Sequence, residues 1–151
     1  MILSRTQERD KYLAIRTVIT LYNIEKEIEL NMLKMNDDLE GALKEYLKLL
    51  DEEEYFEAHE VLEEAWHPLR LGKHPLANLA KGLINGAITF EHIKRNRKNM
   101  QKKAQRVIIS YERHKHLSTE DIEHAVLFKQ ACQKIESLKT KYAEVFNVLV
   151  S

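Results

Sequence analysis

Glycine and proline are nearly missing from this chain, with four and two among 151 residues. Tight turns and hairpins draw on those residues for positive or fixed φ, so long stretches lack the punctuation of a β-fold and helix is expected instead. Cysteine occurs once, at Cys132, which excludes an internal disulfide and a cysteine-built zinc site. Neither charge sign is in excess: Lys and Arg total 24, as do Asp and Glu. Net charge therefore points to no partner, and only its distribution can. Long apolar runs are missing too. The longest stretch without Asp, Glu, Lys or Arg is Gly82–Phe90, far too short to span a bilayer. The opening residues, from Met1 to Arg9, contain no apolar signal core. These absences together lead to the expectation of a cytoplasmic protein without membrane contact.

What is present is helical periodicity. Hydrophobic residues make up 44% of the chain, enough at this length for a disulfide-free core in one domain. A charged first helix is expected over Arg5–Met35, with Tyr12, Ile15, Ile19 and Tyr22 on one side; from Asn23 the periodicity weakens. Asp37 followed by Glu40 resembles a capping box opening a second helix, whose stripe is Leu39, Leu43, Tyr46, Leu47 and Leu50. Asp51 to Glu54 then read as the acidic first turn of a third helix, running to Trp66 and stopped by Pro68. Gly72 marks a loop, and Pro75 suits the first position of a fourth helix reaching about Arg95, with Leu76, Leu79, Leu83, Ala87 and Phe90 inward. Asn96 and Asn99 suggest a break before a fifth helix, to about Arg113. Ser118 with Asp121 is a second capping-box candidate; beyond it helical spacing links Ile122, Ala125, Cys132, Ile135, Leu138, Tyr142, Val145, Phe146 and Leu149. No useful segment alternates with period two. The predicted fold is all-α: one domain over 1–151, with five or six helices in an orthogonal or bundle-like array and long flanking helices at 5–35 and 118–149.

The third helix carries the most unusual sequence, Tyr55-Phe56-Glu57-Ala58-His59-Glu60-Val61-Leu62-Glu63-Glu64-Ala65-Trp66. At 100° per residue Tyr55, Ala58, Leu62, Ala65 and Trp66 share the apolar face. His59 and Glu63 fall at its edge, and Glu57, Glu60 and Glu64 turn to solvent. Trp66 is expected to anchor the packing beneath this helix. The stretch from Phe56 to Trp66, followed by Gly82-Leu83-Ile84-Asn85 and His92, resembles the signature of the family called domain of unknown function 309. The resemblance covers roughly Leu39 to Arg106, with a family core of about 37–113. It departs at Asn85, where glutamine is usual, and at the glycine-free turn Asn96-Arg97-Lys98-Asn99. It implies an all-α fold and brings no established activity.

If the third and fourth helices pack antiparallel, Asn85, Thr89 and His92 form a polar line facing His59 and Glu63. Two imidazoles, a carboxylate and an amide could then hold a small ligand, with Trp66 nearby. His59, Glu63 and His92 could also serve as ligands of a divalent transition metal with an open position. Glu60 would be the base if such a site activated water. The zinc-protease helix is excluded, because Glu63 stands where its second histidine belongs. The competing reading is a buried hydrogen-bond network: His59 bonds Glu63 or a helix carbonyl, His92 bonds Asn85 or a main-chain group, and the cluster sets helix register.

Charge is segregated along the chain. Eight acids and no Lys or Arg lie between Asp51 and Glu64. Lys94, Arg95, Arg97, Lys98, Lys102, Lys103 and Arg106 follow without an acid among them. The basic block is a candidate anion-binding surface for nucleic acid or another acidic partner. It contains no aromatic residue for stacking on bases, and no familiar nucleic-acid module accompanies it. Mutual complementarity of the two blocks, within one chain or between copies, is the alternative. Cys132 reads as an inert core thiol.

The leading functional expectation is a non-enzymatic helical module that binds a protein partner or a second copy through its flanking helices, with no cofactor. A small-ligand or metal pocket at His59, Glu63 and His92, extending to metal-dependent hydrolysis, is the first alternative. Anion or nucleic-acid binding at 94–106 is the second.

Overall fold

The computed structural model describes residues 4–147, the side chains of 31–37 excepted. Six α-helices lie within this range: α1 Arg5–Asp51, α2 Tyr55–Leu71, α3 Ala77–Arg95, α4 Met100–His114, α5 Ala125–Lys141 and α6 Ala143–Phe146. A single 3-10 turn, Lys115–Leu117, follows α4, and there is no strand among the described residues. The all-α expectation holds. Leu149, the last residue of the predicted C-terminal stripe, lies outside the described residues.

The chain divides into two compact units, Met1–Asn36 and Asp37–Ser151. The first is helical from Arg5, and the helix opens on a reciprocal cap. The Gln7 amide donates to the Ser4 hydroxyl (3.2 Å), and the Ser4 amide donates to the Gln7 side-chain carbonyl (3.0 Å). Among its described apolar side chains, Tyr12, Ile15, Val18, Ile19 and Tyr22 are all more than half exposed.

In the second unit the predicted stripe of Leu39, Leu43, Tyr46, Leu47 and Leu50 is buried. No new helix starts at Asp37. Helical backbone runs through it, since nothing there interrupts the hydrogen-bond ladder, and Glu40 pairs with Lys44 at 3.1 Å instead of reaching back as a cap. The acidic run is likewise not a first turn. Glu53 takes a left-handed conformation (φ 60°). The Glu54 amide donates to Leu49 O (2.9 Å) and the Glu53 amide to Leu50 O (3.1 Å), so Asp51 to Glu54 close the end of α1 in a Schellman motif. The same motif ends α2: Lys73 is left-handed (φ 51°), His74 donates to Leu69 O (2.9 Å) and Lys73 to Arg70 O (3.1 Å).

Pro68 does not stop α2 at Trp66, because it lies inside the helix. It forfeits one hydrogen bond in the last turn, while Leu69, only 2% exposed, holds that turn to the core. Helix α3 starts two residues later than predicted, at Ala77. Pro75 sits in the preceding turn, where His74 Nδ1 accepts from the Leu76 amide at 3.1 Å. Asn96 and Asn99 both adopt left-handed backbone (φ 49° and 64°), and the predicted break falls there. Ser118 caps nothing. Thr119 donates to the Asp121 carboxylate, and this local competition keeps the backbone out of helix until Ala125. Ile122 therefore lies in the turn, and a break at Tyr142 separates α5 from α6.

Helix α3 is the centre of this unit. Trp66 near the end of α2 meets Lys81 near the start of α3, and Tyr55 at the start of α2 meets Phe90, so the two run antiparallel. Helix α4 lies close on another side: a Cβ at Gly82 would fall 3.2 Å from Tyr111 Cα and 3.3 Å from Ser110 O. Small residues at helix crossings permit such approach, which offsets glycine's cost in a helix interior. Helix α5 covers Gly86 with Ile135, and Phe90 meets Tyr142 and Phe146.

Candidate functional site

His59 and Glu63 are one turn apart on α2, and the structure brings them together. His59 Nδ1 is 2.5 Å from the Phe56 carbonyl. A carbonyl only accepts, so the proton sits on Nδ1 and Nε2 is turned outward. Nε2 lies 3.5 Å from Glu63 Oε2, while the other carboxylate oxygen is 3.7 Å from His67 Nε2. One carboxylate thus lies between two imidazoles. Sequence reasoning missed His67, although its i+4 spacing from Glu63 repeats the His59–Glu63 step. Phe56 meets the His59 ring edge-on at 4.9 Å, and Arg95 from α3 lies over Phe56 at 5.6 Å.

These residues line a groove of about 290 Å³ formed by Phe56, His59, Glu60, Glu63, Glu64 and His67. All six are on α2. Ligand-enclosing pockets are walled by several elements and exclude water, whereas this groove has one helix for a floor. Glu60 is exposed at its edge.

Asn85, Thr89 and His92 do not line it. Thr89 is fully buried, and its hydroxyl donates to the Asn85 carbonyl of its own helix at 2.8 Å. Asn85 and His92 are half-buried. Burial pushes the His92 imidazole below its ordinary value, and the nearby Lys103 and Arg95 charges add to that. No group of three His, Cys, Asp or Glu among the described residues is arranged to hold a metal ion. Trp66 is half-buried at the rim rather than beneath the helix, with Arg70 over its ring at 5.2 Å and Lys81 at 4.4 Å.

The basic segment divides. Lys94 donates to the Glu53 carbonyl at 2.8 Å, and Arg95 pairs with Glu91 at 2.7 Å. Arg97, Lys98, Lys102, Lys103 and Arg106 are exposed and form no ion pair with a described residue. Arg113, outside the predicted block, is also exposed and continues the Lys102–Arg106 side of α4 at helical spacing.

A tighter network lies at the far end of α4. The Tyr111 hydroxyl donates to Glu136 at 2.5 Å, and Lys115 and Lys139 bridge Glu112 and Glu136. Burial alone would raise both glutamates, but hydrogen bonds from Tyr111, Lys115 and Lys139 outweigh it and hold them below the usual carboxylate range. Cys132, half-buried beside this network, is pushed up, chiefly by burial.

The family model described as domain of unknown function (DUF309) matches residues 43–103. This segment is a DUF309 domain. It runs from the buried stripe of α1 through α2 and α3 into the first turn of α4, and so contains the whole His59 groove, while Arg106 and Arg113 lie beyond it. No curated protein and no solved structure matches the chain. Among the described residues, no helix is long and apolar enough to cross a membrane.

Proposed function

We propose that this DUF309-containing protein is a non-enzymatic helical interaction module that joins a second copy of itself through its N-terminal helix. One observation carries the reading. Ten large apolar side chains between Tyr12 and Leu30 are 46–65% exposed. At 100° per residue eight of them form two faces, one with Tyr12, Ile15, Ile19 and Tyr22 and the other with Leu13, Leu21, Ile24 and Ile28, and Val18 lies between the two. Apolar surface of this extent is stable in water only when covered, and a helix apolar on two sides fits between other helices. A like helix from another copy presents matching faces, and symmetric self-association is the commonest way soluble proteins cover such surfaces. Sedimentation of the full chain from about 1 to about 100 μM tests this. The expected result is an oligomer that an Ile15→Asp, Ile19→Asp variant converts to monomer; a parent that is monomeric throughout would overturn it.

A second reading, a small-ligand or divalent-metal site at His59 and Glu63, is favoured by the Phe56 carbonyl that aims Nε2 at the carboxylate, because such outer bonds orient metal-binding imidazoles. Elemental analysis of untagged protein beside a His59→Ala variant tests it. Stoichiometric metal lost in the variant would support this reading, and parent protein without metal would retire it.

A further inference from the structure

We infer that the outer faces of α2 and α4 form a second, electrostatic contact between copies, in which the acidic face of one chain docks on the basic face of the next. Glu57, Glu60 and Glu64 lie within about 60° of one another around α2, and Lys102, Arg106 and Arg113 do the same around α4. All six are exposed, and none forms an ion pair with a described residue. Each face also carries one outward apolar side chain: Leu71, 75% exposed, on α2 and Ile109, 51% exposed, on α4. The two patches therefore match in charge and in an apolar element.

Several neighbouring charges already have partners. Glu63 faces His59 and His67, Glu112 holds Lys115 and Lys139, and Arg95 holds Glu91. The unpaired charges on the two outward faces are of one sign each, while Arg70 of α2 points to another side and lies over the Trp66 ring. The two helices pack on different sides of α3, so one copy presents both patches in different directions. A basic first turn on α4, with no acid to suit the positive end of the helix dipole, is compensated when a carboxylate face lies against it. Nucleic acid is the competing occupant of the basic patch, but it would leave the acidic face of α2 unexplained. Because the contact joins unlike surfaces, it propagates head to tail unless the rotation closes a ring. It shares no residue with the N-terminal helix.

The test uses two full-length charge-reversed proteins. One carries Glu57→Lys, Glu60→Lys and Glu64→Lys; the other carries Lys102→Glu, Arg106→Glu and Arg113→Glu. Light scattering of the parent should show association that weakens roughly tenfold between about 20 mM and about 500 mM salt, since exposed charges are screened at the higher value. An oligomer persisting at high salt reports the apolar helix instead, so the two proposals fail separately. Each reversed protein alone should lose the salt-dependent association. Their mixture should regain it, because each then meets an opposite charge on the other. Should a triple variant lose its circular dichroism, Glu60→Lys and Arg106→Glu proteins carry the same comparison. Unchanged salt dependence in folded variants, or a mixture that regains nothing, overturns the proposal. Binding to duplex DNA at low salt that is lost in the α4 variant, without restoration on mixing, would assign the basic face to nucleic acid and overturn it as well.

Discussion

The Tyr46 hydroxyl donates to the Leu83 carbonyl at 2.6 Å across the buried junction of α1 and α3. Burial drives the phenol well above its ordinary value, so it remains a donor at every physiological pH. Tyr46→Phe keeps the ring and removes only this bond, and Leu83 O retains its place in the α3 ladder. A loss of about 1 kcal/mol is expected in denaturant unfolding, in line with a single neutral hydrogen bond.

The two glycines of α3 should respond differently to alanine. At Gly82 the new methyl would meet backbone of α4, at 3.2 and 3.3 Å, and α4 can yield only by moving as a body. A destabilisation of about 1–3 kcal/mol is expected there. At Gly86 the obstacle is Ile135 Cδ1 at 3.0 Å, the end of a side chain that can rotate. Its smaller strain is set against the helix-propensity gain of about 1 kcal/mol, so Gly86→Ala should melt close to the parent. Thermal melts of the two variants check the contrast.

Acid should weaken the fold in two stages. His92 and His114 are held below their ordinary value of 6.5, chiefly by burial. The unfolded chain therefore takes up protons first as pH falls through 6.5, and stability declines. Glu112 and Glu136 are also depressed, so their contribution is full above the ordinary glutamate value of 4.5 and is lost as pH drops below it. Unfolding followed from about pH 7.5 to about pH 5.5 should show a slope that His92→Gln reduces, while Glu136→Gln should act on the later, more acidic loss.

Cys132 should react sluggishly in the native state. Its thiol is half-buried and pushed up by burial, so little thiolate is present near neutral pH. A thiol-specific reagent should label it much faster in denaturant than in buffer. Equal rates would mean that the site is open.

Legibility in the sequence followed periodicity. Every residue of the Leu39–Leu50 and Leu76–Phe90 stripes named from spacing is buried, because burial on a helix is read directly from its period. Boundaries fared less well. Asp51–Glu54 look like a first turn by charge, yet the left-handed Glu53 makes them the end of the preceding helix. Lys73 does the same one residue after Gly72, which did mark that loop, so only the Glu53 corner went unannounced by composition. Pro68 suggested a stop, but the contacts of Leu69 carry the helix past it. At the site, the His59–Glu63 pairing was legible because i and i+4 always neighbour on a helix. The position of His92 depends on how α3 is rotated between α2 and α4, and a single helix's period does not encode that.

Glu53 and Lys73 close their corners with backbone bonds spanning only a few residues. Helices α2, α3 and α4 then pack as sequence neighbours, so the core's contacts are joined by short loops. Little chain entropy must be lost before those contacts form, which places this unit among fast-folding topologies. Refolding after dilution from denaturant should finish within milliseconds, with the corner turns in place before α5 adds Ile135 over Gly86.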